Sequence, residues 1–179
     1  MMSRDPCKGF HKLAFRIPGN RGAIKHLVDE IVQSLSKKGF KIDGEQLKLI
    51  LSEALTNAFL YGSLQLSSDL RESHGDNFFW QMVDRRERDK KYSSNKINVE
   101  IECINNALRF RIEDKGKGFD WDSHLKIMTK ERSETSKDGR PLKTHGRGLW
   151  IIKESVDDLK WNKRGNEIYF TMKLPADTP

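Results

Sequence analysis

The chain has 179 residues and a formal net charge of +7, with 36% hydrophobic and 33% charged residues. That length suits one domain with a real core, because folding at this size removes roughly 70% of the unfolded surface from water. No apolar run approaches the ~20 residues of a membrane span, and residues 1–10 lack the apolar stretch of a secretory signal, so cytoplasmic residence is expected.

In chain order, Leu13, Phe15 and Ile17 alternate with polar or small residues, the period of a half-buried strand, which Pro18 and Gly19 end. Asn20 caps a helix running to about Lys38 with an apolar stripe of Ile24, Leu27, Val28, Ile31 and Leu35, and Gly39 stops it. Asp43 opens a second helix, with Gln46 three residues on as a capping-box partner. Leu47, Ile50, Leu51, Ala54, Leu55 and Ala58 make its stripe, and Gly62 is a natural stop. Residues 63–95 read as an insertion, partly helical. Ser67 and Ser68 are candidate caps, residues 73–77 a break, and Phe78, Phe79, Met82 and Val83 a short apolar face.

Ile97, Val99, Ile101 and Cys103 alternate on one strand and Leu108, Phe110 and Ile112 on the next, joined at Asn105 and Asn106, which tolerate left-handed backbone. Residues 120–145 are polar and long for a compact domain, the mark of a functional or disordered loop. Gly146 and Gly148 lead into a helix with Leu149, Ile152 and Val156. Leu159 and Trp161 begin a strand, Arg164, Gly165 and Asn166 turn it, and Ile168, Phe170, Met172 and Leu174 complete the last one. Clean alternation on strands that helices can cover predicts a two-layer α/β sandwich with a mixed, mainly antiparallel sheet and helices on one face. The expected boundaries are a tail over 1–11, a domain over 12–174 and a tail over 175–179.

Two cysteines this far apart, Cys7 and Cys103, offer no metal spacing and no disulfide framework. Cys103 reads as a small core residue and Cys7 as an exposed terminal thiol. The positive charge favours acidic partners, but the basic run over 85–91 is followed only by Tyr92 and reads as a solvated face, so nucleic acid is not an expected partner.

Three segments carry chemistry. Glu53 and Asn57 are four apart and share a helix face beside the apolar stripe. A carboxylate held there can orient or deprotonate a hydroxyl or water, and an Asn carbonyl is a neutral oxygen ligand suited to Mg²⁺. Alternatively the pair is the exposed edge of an ordinary helix. Asp114 ends a strand and precedes Gly116, Gly118 and Phe119. It can accept from an exocyclic amine while the glycines admit a ligand to the backbone, or it is a polar turn. Gly146, Arg147, Gly148 and Leu149 open a helix, where free N–H groups favour phosphate and Arg147 adds charge, or they form a hinge. No Walker loop occurs.

As an ordered set these segments resemble the GHKL ATPases, the superfamily of DNA gyrase and the histidine kinases. Glu53, Asn57 and Ala58 match the E-x-x-x-N-A of the N box, Asp114 to Phe119 the D-x-G-x-G-F of the first glycine box, and Gly146 to Leu149 the G-R-G-L of the second. The resemblance spans about residues 12–174 and implies the Bergerat ATP-binding fold. The surroundings of Glu53 and of Gly148 are similar to the stand-alone anti-sigma factor and switch-protein serine kinases of bacteria.

That branch implies ATP and Mg²⁺ as cofactors and an anti-anti-sigma partner of the STAS fold, phosphorylated on Ser or Thr. It further implies a sigma factor as a second partner and a homodimer; with no apolar span in the sequence, no membrane is expected. Glu53 is then the general base and Asn57 the Mg²⁺ ligand. Asp114 reads adenine, Gly116 and Gly118 shape the pocket, and residues 120–145 form the lid. Lys143 and His145 are candidates for the γ-phosphate, near Gly146, Arg147, Gly148 and Leu149. A non-catalytic, nucleotide-gated binding module is the alternative. The chain departs from the family where Tyr61 stands before Gly62 in place of His, and where Asn166 follows Gly165 in place of Thr.

Overall fold

The computed structural model describes residues 7–123, 125–126 and 147–175. Five strands, β1 (Leu13–Pro18), β2 (Lys96–Ile104), β3 (Ala107–Glu113), β4 (Asp158–Trp161) and β5 (Glu167–Lys173), form one sheet in the order β1-β2-β3-β5-β4. All four pairings are antiparallel, so the sheet lies at the antiparallel end of the expectation. The β2–β3 hairpin turns at Asn105 and Asn106, with φ of 52° and 58°. Alternation sends Ile97, Val99 and Ile101 of β2, Leu108, Phe110 and Ile112 of β3, and Ile168, Phe170 and Met172 of β5 to one buried face. Phe110 and Phe170 stack across the strands at 4.7 Å.

The helices α1 (Arg21–Lys37), α2 (Gly44–Asn57) and α5 (Arg147–Ser155) bring their apolar stripes to that face. Ile31, Ile50, Leu51 and Leu55 are fully buried, and each such side chain stabilises by about 1.5–3 kcal/mol. Asn20 caps α1 by accepting from Ala23 N at 2.8 Å, and Asp43 caps α2 by accepting from Glu45 N and Gln46 N, each at 3.0 Å. The reciprocal half of the capping box is not made. The Gln46 amide instead donates to the Ser155 carbonyl at 3.3 Å, tying α2 to the end of α5.

Three expectations are corrected. First, Gly62 does not stop the second helix. A π-helical turn, Ala58–Ser63, continues it past Asn57, and such turns are common at functional sites. Second, the insertion is helical over most of its length, as α3 (Leu70–Arg88) and α4 (Lys90–Ser93). The expected break survives as a kink at Gly75, where φ is 81°. Phe79 and Val83 are buried while Phe78 stays exposed. The basic run is only partly a solvated face. Arg86 donates to the carbonyls of Leu64 and Gln65 at 2.8 and 2.7 Å and covers the Tyr92 ring. Arg21 reaches Asp84 and Glu87, both at 2.6 Å, so the insertion is docked on the start of α1.

Third, the two cysteines are joined. Cys7 and Cys103 form a disulfide with Cα atoms 5.1 Å apart. Residues 7–12 run beside the end of β2, and Phe10 meets Phe40 edge-on at 5.0 Å. Sequence spacing carries no sign of this juxtaposition, because it depends on where the first residues pack.

Candidate functional site

Glu53 and Asn57 leave the same side of α2, both half-buried. The first turn of α5 comes directly against them. A methyl group on Gly148 would collide with the Glu53 carboxylate and sit 3.6 Å from Asn57 Nδ2. Only glycine lets the N-terminus of α5, the positive end of its dipole, approach a carboxylate and a carboxamide this closely. Burial pushes the Glu53 carboxyl above its ordinary pKa. A carboxylate that holds a proton more readily than usual is a better base toward a hydroxyl.

The π-helical turn carries the chain from Asn57 to Gly62, and Gly62 lies against Asp114, leaving no room there for a side chain. A methyl on Gly116 would fall 2.7 Å from Gly62 Cα and 2.8 Å from Asp114 Oδ1. The Gly116 N–H donates to Asp114 Oδ1 at 2.7 Å, which fixes the carboxyl group and leaves acceptor capacity on it. Burial raises the Asp114 pKa to about 6; the Gly116 N–H opposes that rise, Glu113 adds to it and Arg164 opposes it. A buried acid of this kind is suited to a ligand that brings a donor.

Behind Asp114 the loop is braced by the β4–β5 turn. Gly118 has φ of 78° and presses on the Arg164 carbonyl, and Gly165, also at 78°, presses on the Phe119 backbone. Side chains at either position would be strained and would strike backbone. Asn166, buried, donates from Nδ2 to the Asp114 carbonyl at 2.8 Å and accepts on its own carbonyl from the Asp114 N–H at 3.0 Å. The residue that departs from the expected Thr is thus a direct brace of Asp114. Beside it Trp121 stacks on Trp161 at 5.3 Å.

The structure therefore brings Glu53, Asn57 and Gly148 together at one end, and Asp114, Gly116 and Gly118 at the other, with Gly62 linking them. Leu149 is half-buried and packs on the core. The backbone of Arg147 opens α5. Lys143, His145 and Gly146 lie outside the described residues. Sequence reasoning missed Gly62, Asn162, Gly165 and Asn166 as site residues. For Gly62 and Gly165 the signal was present, a glycine beside each departure from the family pattern, but its partner in space was not.

These residues fit a nucleotide. The acid suits an exocyclic amine, Gly62, Gly116, Gly118, Gly148 and Gly165 let the chain segments that build the site approach one another, and the start of α5 suits phosphate. Among the described residues no three His, Cys, Asp or Glu side chains cluster as a metal site. Mg²⁺ bound here would depend on the Asn57 carbonyl oxygen together with phosphates and waters, its usual preference.

A family model described as the histidine kinase-like ATPase domain matches residues 23–172, most of the chain. No curated protein matches. Among the described residues no helix is long and apolar enough to cross a membrane. The matched span contains all three motifs and the whole sheet except β1 and the last residue of β5. The chain belongs to the family of histidine kinase-like ATPase domains, which bind ATP.

Proposed function

We propose that this ATPase domain is a serine/threonine kinase of the anti-sigma factor type, acting on a STAS-type anti-anti-sigma partner in the cytoplasm. The observation that carries the reading is the packing of the Glu53 carboxylate against the first turn of α5, one helical turn from Asn57. Asp114 would hold adenine, and Asn57 would hold Mg²⁺, which would supply positive charge at the phosphates. The partner hydroxyl approaches the γ-phosphate near Glu53. Glu53 takes the hydroxyl proton as the oxygen bonds to phosphorus and the bond to the β-phosphate oxygen breaks, leaving ADP and a phosphorylated Ser or Thr. In this reading a homodimer holds a sigma factor until the unphosphorylated partner displaces it.

The test is transfer of label from γ-labelled ATP to a STAS-domain protein of the same genome, followed by phosphoamino-acid analysis. Phosphoserine or phosphothreonine that disappears in Glu53→Gln is expected. No transfer to any such protein, with ATP turnover unchanged in Glu53→Ala, overturns it. A second reading, a nucleotide-gated binding module without catalysis, draws on the insertion docked against α1 through Arg21. It predicts ATP-dependent partner binding by calorimetry with no ADP formed over hours.

A further inference from the structure

We infer that Asn162 is a positioning residue for base recognition, acting on Asp114 through Asn166. The inference rests on the reading of Asp114 as the acceptor for adenine's exocyclic amine. Asn162 follows β4 and is half-buried, and all of its polar atoms are engaged. Its Oδ1 accepts from Gly165 N at 2.7 Å and Asn166 N at 3.2 Å, closing the turn. Its Nδ2 donates to Asn166 Oδ1 at 3.0 Å and to Glu167 Oε2 at 3.3 Å. Its backbone N–H donates to the Glu167 carbonyl at 3.0 Å, and its carbonyl accepts from the Trp121 indole at 3.2 Å.

A carboxamide has one orientation that satisfies a donor and an acceptor on the same partner. Asn162 Nδ2 therefore fixes which way Asn166 points. With its Oδ1 facing Asn162, Asn166 must present Nδ2 to the Asp114 carbonyl, as observed at 2.8 Å. The Asp114 N–H is held by the Asn166 carbonyl, so both backbone groups of the base-reading acid hang on one buried asparagine. Reversal of the Asn166 amide would set two oxygens against each other and release Asp114 from one side. Asn162 prevents that reversal.

Calorimetry with ADP and IDP tests this, since inosine carries a carbonyl where adenine carries the amine. The wild type is expected to prefer ADP by about tenfold or more, the scale of one hydrogen bond to a charged group. Asn162→Ala should weaken ADP binding by about fivefold to tenfold and IDP binding by less than about twofold, so that the preference collapses. A merely structural role would weaken both alike. Should Asn162→Ala not fold, Asn166→Leu cuts the side-chain link to Asp114 together with the Asn162 Nδ2 bond to it, leaves the Asn162 Oδ1 bonds to the turn, and the same collapse is expected. An unchanged ADP-to-IDP ratio in a folded variant overturns the positioning role alone. A wild type that binds ADP and IDP equally overturns the reading of Asp114, and the proposal with it.

Discussion

The two ends of the site are built differently. At the base end, three stretches of backbone lie against one another: Gly62 and Gly116 on Asp114, Gly118 on Arg164, and Gly165 on Phe119. Asn162 and Asn166 then tie the turn to the acid. At the phosphate end a single glycine, Gly148, brings one helix to a carboxylate and a carboxamide on another. In the proposed reading, base recognition is set by backbone packing, which side-chain motion does not undo. In the same reading the chemistry depends on two side chains and a helix terminus. The base end thus reads as preorganised, and the phosphate end as the place where binding and catalysis remain separable.

The comparison can be broken most sharply at Glu53. Glu53→Gln should lower phosphoryl transfer by about 10²- to 10⁴-fold while nucleotide affinity changes little, as separate measurement of turnover and Kd would show. The raised pKa gives this effect a pH signature. The base must be ionised, so the wild-type rate falls as pH drops through a value above the ordinary carboxylate range. Asp114→Ala should do the opposite, weakening ADP binding by about 10- to 100-fold through loss of the charge-assisted hydrogen bond to the base.

Alanine at the glycines sharpens the contrast further. Gly165→Ala, at positive φ and against the Phe119 backbone, should destabilise the fold by about 1–3 kcal/mol in denaturant titration. Gly148→Ala should cost less stability, because a side chain rather than backbone must give way, yet it should disturb turnover by displacing Glu53.

The smallest effect concerns the acid itself. A carboxyl whose folded pKa is raised to about 6 from 3.8 stabilises the fold at low pH, and that contribution is lost as pH rises through about 6. Asp114→Asn keeps an acceptor for Gly116 without the buried charge. It should therefore make the nucleotide-free protein more thermostable at pH 8, with the difference shrinking toward pH 4. An equal gain at both pH values would show that burial of charge at Asp114 is not the cause.

Much of the fold was legible because it rests on period and punctuation. The alternation in β2, β3 and β5, the stripes of α1 and α2, and the caps at Asn20 and Asp43 are local properties, and local reasoning found them. The motif residues were legible for a different reason, since Glu53, Asn57 and Asp114 stand in the order and spacing of the family's motifs. What escaped was long-range. The contact of Gly62 with Asp114, the reach of Asn166 back to the same residue, and the pairing of Cys7 with Cys103 each join positions 52 or more apart. No periodicity encodes them. The insertion was opaque because Gly75 interrupts its pattern and the buried face of α3 is only Phe79 and Val83.

The Cys7–Cys103 bridge divides the two ends of the site covalently as well. The ring it closes contains Glu53, Asn57 and the whole insertion, whereas Asp114, the β4–β5 turn and α5 hang outside it on an open chain. A protease that nicks the exposed run over 67–69, before α3, would therefore leave two fragments migrating as one molecule on a non-reducing gel. They would part only when thiol is added, because the bridge alone would then join the half that carries Glu53 to the half that carries Asp114.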